Sequence, residues 1–449
     1  MAELITNKAL DQIRHALDSG AYAQLRRLLG DGLAASDVAY LIESSPPKER
    51  QLLWSLLSQE NRGEVLQYLG DEVQAELLAT MDAQEISTAF GDLETDDLAD
   101  LLQQLPYKLI DHVLEMMDAR DRERVEAVLS FPEKTAGGLM NTDMITIRPD
   151  LTLDVVWRYL RLFKEIPEMT DNLLVVNRKD KFVGLLPITK ILLNDPESTV
   201  QNLMETDIQV LNPDLPDTQV ANLFKRYDLV SAPVVDDTGK LLGRVTIDDV
   251  VDVISDESDR SLLGMAGMDA DTNTFAPIKK VVKVRALWLV INLATAILAS
   301  SVVGLFQDTI AQVVALAVLM PIVANMGGIA GTQALTIVIR AVALDQIGKS
   351  NTWWLLQREF LVGLFEGIPI ALIAALCAYV WFGDPRIGMV LGISMVINLM
   401  VATVAGAALP IILKKMSIDP ALAGGVLLTT ITDIIGFMSF LGLAALFYI

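Results

Sequence analysis

The sequence predicts a multi-domain membrane protein with an all-α N-terminal solenoid, an α/β tandem pair and a five-helix α transmembrane domain. Three observations predict it. The 449 residues are 52% apolar with a mean hydropathy of +0.42, yet the formal charge is −22. These properties belong to different parts: residues 279–449 hold ten Lys/Arg against seven Asp/Glu, residues 1–278 twenty-five against fifty. The C-terminal part contains five apolar runs, each long enough to cross a ~30 Å hydrocarbon layer at 1.5 Å per residue. Residues 136–260 repeat themselves.

The acidic half argues against nucleic acid, whose binders need basic patches, and favours cations as partners. The first twenty residues have neither an apolar core nor a small-residue cleavage site, so no secretory signal is expected and the soluble half is placed in the cytoplasm. The single cysteine, Cys377, lies in an apolar run, which excludes an intrachain disulfide and a thiolate metal cluster.

Residues 1–130 read as a helical domain. Leucine pairs recur at helical spacing in QLRRLL, RQLLWSLL, EVLQYL, AELLATM and DLADLLQQL, broken at Pro46-Pro47, Gly63, Gly70, Gly91 and Pro106. Asp71-Glu72 and Asp96-Asp97 are expected as acidic caps. The run ETDDLAD is denser than capping needs. Asp97 and Asp100 share a helix face, where repelling carboxylates are tolerable if cations bridge them. His15 and His112 stand alone and read as surface or core residues.

In the repeat, Leu139-Met140-Asn141-Thr142-Asp143 recurs as Leu203-Met204-Glu205-Thr206-Asp207, and Val175-Val176 with Gly184 recurs as Val234-Val235 with Gly243. Each copy (136–197 and 200–260) has an extended segment, an amphipathic helix, two short apolar strands and a closing helix. This resembles a tandem pair of CBS domains. In that family a strand ending in Gly-x-h-Thr/Ser-x-x-Asp holds an adenosine nucleotide. The second copy has that pattern from Gly243 through Thr246 to Asp249, whereas the first has Lys190 where the acid should be. The resemblance implies at most one nucleotide site, with Thr246 and Asp249 as its contacts and ATP as a candidate ligand. A pair that only dimerises is the alternative.

The second copy runs into Asp248, Asp249, Asp252, Asp256, Glu257 and Asp259. On a helix Asp248, Asp252 and Asp256 line one face. Such a run is either a solvated face or, next to a moving joint, an ion sensor. Residues 261–284 are expected to form a connecting helix.

The five spans, within a domain at 285–449, fall at about 286–306, 311–339, 361–382, 387–413 and 424–449. Lys279, Lys280, Lys283, Arg285, Arg340, Lys349, Arg358, Lys414 and Lys415 fall on one side and Arg386 on the other, so the positive-inside rule puts the N-terminus inside and the C-terminus outside. Pro321 and NMGGIAGTQALT interrupt the second span. Gly327, Gly328 and Gly331 suit close helix packing, and Asn325, Thr332 and Gln333 suit a pore lining or a broken helix. Glu359 reads as interfacial, and Glu366 lies one to two turns deeper. The fifth span carries one charge, Asp433, with Thr429, Thr430 and Thr432 just before it. A carboxylate in a spanning helix needs a partner, water or an ion, and these oxygens are the ligands hard divalent cations prefer.

Taken together, the domain order, PIVANMGGIAGTQALTIVIRA and DPALAGGVLLTTITDIIG resemble the MgtE family of magnesium channels across essentially the whole chain. The resemblance implies a homodimer with the pore at its interface and hydrated Mg²⁺ held by Asp433; Thr429 and Thr432, by their oxygens, are expected to line the pore beside it. It also implies regulatory Mg²⁺ ligands among Asp96, Asp97, Asp100, Asp228, Asp249, Asp252, Glu257 and Asp419. Ile329 stands where the family usually has Asn, and Gly424 and Val426 where it often has Ser and Pro. The reading is a Mg²⁺-selective channel, not an enzyme, for uptake across the inner membrane, closed by cytoplasmic Mg²⁺. A carrier for Co²⁺, Ni²⁺ or Mn²⁺ is disfavoured because no His or Cys lines the expected path. A membrane enzyme is disfavoured because residues 279–449 contain no His.

Overall fold

The structure, a computed structural model, describes residues 16, 21–31, 33–91, 93–163, 166–268, 275, 278–344, 346–348, 350–416 and 418–448. Most of the N-terminal twenty residues, with His15, lie outside them. Two compact units result, one running to Glu257 and the other containing everything from Ala276 onward.

The first unit opens with short helices: α1 (Tyr22–Asp31), α2 (Ala35–Glu43), α3 (Pro47–Leu56), α4 (Gln59–Gln67), α5 (Asp71–Leu78), α6 (Ala83–Ala89), α7 (Thr95–Gln103), α8 (Tyr107–Met116) and α9 (Ala119–Leu129). Their leucine rows form one core, with Leu41, Leu53, Leu66, Leu77 and Leu101 fully buried. His112 is exposed, 3.8 Å from Glu115. The capping expectation holds only in part: Oδ1 of Asp96 accepts the Asp97 amide at 3.1 Å, but none of the four acids sits at an N-cap position. Gly70 and Glu94 occupy the N-cap positions of α5 and α7 without capping side chains, and Asp71, Glu72, Asp96 and Asp97 lie in the first turn. There they face the helix dipole. Among the described residues of these helices, side-chain caps are supplied by Asp82, in a reciprocal capping box with Glu85, and by Asp118.

Two small sheets follow. β1 (Thr146–Ile147) pairs in parallel with β2 (Asn172–Val176), which pairs antiparallel with β3 (Phe182–Pro187). β4 (Ser231–Val235) pairs antiparallel with β5 (Leu241–Thr246). Helices α10 (Leu153–Leu160), α11 (Ile188–Leu193), α12 (Val200–Leu203) and α13 (Asp217–Tyr227) lie between the strands, and α14 (Ile247–Met265) follows β5. The repeated five-residue segments cross between the copies. Asn141 bridges to Arg244 of β5, and its counterpart Glu205 bridges to Leu185 of β3. The repeated glycines explain themselves here: a Cβ on Gly243 would lie 2.8 Å from the Asn141 carbonyl oxygen, and one on Gly184 2.5 Å from that of Glu205.

The expected connecting helix over 261–284 is not one helix. α14 ends at Met265, with Gly267 at φ 71° and amide bonds from Gly267 to Gly264 and from Met268 to Leu263. That is a Schellman stop, which glycine adopts because it has no Cβ to clash. Residues 269–274 and 276–277 lie outside the described part, and the next helix starts at Ile278.

The second unit holds α15 (Ile278–Gly304), the short α16 (Gln307–Gln312), α17 (Ala315–Ala343), α18 (Thr352–Phe382), α19 (Pro385–Lys415) and α20 (Pro420–Tyr448). All but α16 are long and apolar enough to span a membrane. α18 starts at Thr352 rather than near 361, so Arg358 and Glu359 are helical, and Glu359 is buried. α19 is the centre of the unit, packing on α17, α18 and α20. α17 runs unbroken through Pro321, so the broken-helix option is not seen. Gly331 is closely packed, since a Cβ there would meet Leu428 at 2.9 Å, whereas one on Gly328 would meet nothing within 4 Å.

Candidate cation sites

In the first unit the two acidic runs, about 150 residues apart in sequence, come together. α7 brings Asp96, Asp97 and Asp100, and the start of α14 brings Asp248, Asp249 and Asp252. Burial raises the Asp96 carboxyl well above its ordinary range, with Asp249, Asp97 and Glu94 adding to it. Burial does the same to Asp249, helped by Asp248 and opposed by the Thr246 hydroxyl. Asp97 is pushed up to about 6 by burial and then by Glu94, Asp248, Glu168 and Asp252. Asp100 is pushed up to about 7, by burial first and then Glu133 and Asp97, although this residue's surface is exposed and solvent there screens its neighbours. Asp252 is raised by burial and then by Asp256 and Asp248.

Like charges held this close keep protons, or a cation, that isolated carboxylates would give up. Among the described residues no three His, Cys, Asp or Glu side chains converge on one ligating point. The cluster is a crowded acidic surface and not a preformed cage, an arrangement suited to an ion that keeps its water shell.

Several groups that the sequence reading missed hold this surface together. Thr95 donates from its amide and its hydroxyl to Oδ2 of Asp143, at 3.1 and 2.5 Å, while Oδ1 of Asp143 takes the Arg124 guanidinium at 2.5 Å. Glu94 accepts from the Asn141 side chain and, at 2.9 Å, from the Glu168 amide. Arg244, 3% exposed, donates to the carbonyls of Glu168 and Met169. The signal for Glu94 was its place in ETDDLAD, and for Asp143 its place in the repeated segment.

Asp228 is an exposed left-handed stop to α13 at φ 52°, Glu257 is half-buried farther along α14, and Asp419 accepts the Ala421 amide at 2.8 Å as a helix cap. At the nucleotide motif, the buried Thr246 hydroxyl donates to Oδ2 of Asp249 at 3.0 Å. In the first copy Lys190 is taken up by Glu205 at 2.9 Å and by the Leu203 carbonyl.

In the second unit Asp433 is half-buried on α20, and no hydrogen bond or ion pair ties it among the described residues. Thr429 and Thr430, four and three residues earlier, share its face. Their hydroxyls donate to the Gly425 and Val426 carbonyls, at 3.0 and 2.7 Å. The protons are thus spent within the helix, and the oxygens remain as acceptors. Thr432 does not join them: it is fully buried and its hydroxyl goes to the Thr429 carbonyl at 3.0 Å. On α17, Asn325, Ile329, Thr332, Gln333 and Thr336 are all exposed, at spacings that put them along one stripe.

Residues 320–443 match a family described as divalent cation transporter, residues 33–134 the MgtE intracellular N domain, and residues 136–196 and 200–256 the CBS domain. The magnesium transporter MgtE of Bacillus subtilis is 32% identical over 418 residues, 93% of this chain and 92% of that one. The chain belongs to the MgtE family. The MgtE magnesium transporter of Thermus thermophilus is 30% identical over 439 residues, covering 97% of both chains. The crystal structure of the cytosolic domain of the Mg²⁺ channel MgtE in complex with ATP superposes with a TM-score of 0.50 at 31% identity, covering 54% of this chain and 99% of that one. The helical domain, the CBS pair and the five apolar helices are therefore those of a multi-pass MgtE-type divalent cation transporter, as the sequence predicted.

Proposed function

We propose that this chain is a Mg²⁺-selective channel for uptake across the inner membrane, closed when cytoplasmic Mg²⁺ binds its acidic soluble domains. The observation that carries the reading is Asp433: a carboxylate in a spanning helix, without a partner among the described residues, beside two threonine oxygens free to accept. A charge so placed is costly unless an ion or water faces it. Mg²⁺ dehydrates reluctantly and prefers carboxylate and water ligands, so two Asp433 side chains across a two-fold axis can hold it hydrated. The polar stripe of Asn325, Thr332 and Gln333 on α17 is unsuited to lipid, which supports a homodimer that encloses it with Thr429. That the relatives are named magnesium transporters supports the choice of ion.

Regulation rests on the crowded carboxylates. Asp96, Asp97, Asp100, Asp249 and Asp252 repel one another, and Mg²⁺ shared among them favours the compact arrangement it binds better. Glu257, Asp228 and Asp419 are further regulatory ligands in this proposal. ATP is assigned to the second CBS copy at Thr246 and Asp249, in line with the ATP complex of the similar cytosolic domain. The basic residues flanking the spans support a cytoplasmic N-terminus and an external C-terminus.

Flux into proteoliposomes across a panel of divalent ions tests the ion. Mg²⁺ entry at least as fast as Co²⁺, Ni²⁺ or Mn²⁺ entry is expected; much slower Mg²⁺ entry overturns the assignment in favour of a carrier for those ions.

A further inference from the structure

The fully buried side chain of Asn398, in the middle of α19, touches both helices that carry the proposed ion path. Its Nδ2 donates to the Val323 carbonyl of α17 at 2.9 Å, an oxygen that helix geometry already pairs with the Gly327 amide. Gly327 itself abuts the amide group so closely that any Cβ would collide with Nδ2. On the other side lies Gly436 of α20, where a Cβ would stand 2.8 Å from Nδ2 and 3.1 Å from Cγ. Two glycines from two helices thus form a slot for one amide. The amide's Oδ1 is buried without a hydrogen-bond partner among the described residues, and an unpaired buried acceptor is costly.

Position gives the amide its meaning. Gly436 stands one turn after Asp433, and Val323 and Gly327 flank Asn325. We infer that Asn398 is a positioning residue for the cation path, fixing the register of α20 against α17 and so the placement of Asp433 relative to the polar stripe. This rests on the assignment of Asp433 as the ion site. It adds a residue that touches neither ion nor pore surface.

The test compares Asn398→Leu, Asn398→Ala, Gly436→Ala and Gly436→Ala/Asn398→Ala in the full chain, reconstituted in proteoliposomes, with Gly304→Ala as a control because a Cβ there meets nothing within 4 Å. Initial Mg²⁺ entry is measured against external Mg²⁺, with the amount of folded protein from size-exclusion chromatography. A purely structural role lowers folded protein and leaves the half-saturating concentration alone. A positioning role shifts that concentration, by roughly threefold or more in Asn398→Leu and Gly436→Ala, on the scale at which contacting residues couple. The double variant should be no worse than Asn398→Ala, since removing the amide removes what the new Cβ strikes. Unchanged half-saturation in both single variants, or additive losses in the double, overturns the inference. If wild type carries another divalent ion instead of Mg²⁺, the ion assignment fails, and the same comparison with that ion still decides the role of Asn398.

Discussion

Thr95 and Asp143, 48 residues apart, close the N-terminus of the acidic helix α7: the amide and the hydroxyl of Thr95 both donate to one oxygen of Asp143. The acid that satisfies this helix end therefore comes from the first CBS copy. The other oxygen of Asp143 holds Arg124, so one carboxylate ties two helices of the N-terminal domain to the repeat.

Asp143→Ala should lower the stability of the soluble part by about 1–2 kcal/mol, the usual cost of a lost cap, with a smaller loss in Asp143→Asn. The midpoint of the first unfolding transition of the purified chain measures this. No shift in the alanine variant would show that water replaces the carboxylate at no cost.

The raised carboxyls set a pH dependence whose sign is fixed. Each binds its proton more tightly folded than unfolded, so its contribution is fully present below the unfolded value of about 4 and is lost as pH rises through the folded values, about 6 for Asp97 and about 7 for Asp100. In chelator the first transition should fall between pH 5 and 8, and Mg²⁺ should abolish the fall by replacing the protons. A transition that rises with pH in chelator contradicts the cluster.

Mg²⁺ should protect the soluble domains from limited proteolysis, and Asp249→Ala, Asp252→Ala, Glu257→Ala together should remove the protection. A triple variant protected as well as wild type means that the run is only a solvated face.

Thr246→Val should abolish ATP binding by isothermal calorimetry, because the hydroxyl that orients Asp249 is gone. Lys190→Ala should leave it unchanged, since that lysine is engaged by Glu205. Binding that survives in Thr246→Val places the nucleotide elsewhere.

Much of this was legible in the sequence because water and lipid impose strict patterns. The five apolar helices had to be long runs, and the repeated Gly184 and Gly243 marked the two copies, though not the close approach that the structure shows there. The helix stop at Gly267 was harder, because positive φ is invisible without the chain's path. The acidic runs stood out as dense, but their meeting is a tertiary fact, and Glu94, Asp143 and Glu168 gain their roles only through it. Thr432 shows the limit of spacing: next to Asp433 in sequence, it points into the helix packing, while Thr429 and Thr430 share the carboxylate's face. Asn398 gave no signal, since a lone amide in an apolar run declares nothing until two glycines enclose it.

Mg²⁺ entry into proteoliposomes at low and high internal Mg²⁺, for wild type and Asp433→Asn, tests the central claim most directly. Fast wild-type entry at low internal Mg²⁺, strong suppression at high internal Mg²⁺ and little entry through folded Asp433→Asn are predicted. Equal wild-type entry at both internal concentrations, or wild-type entry through Asp433→Asn, would contradict it.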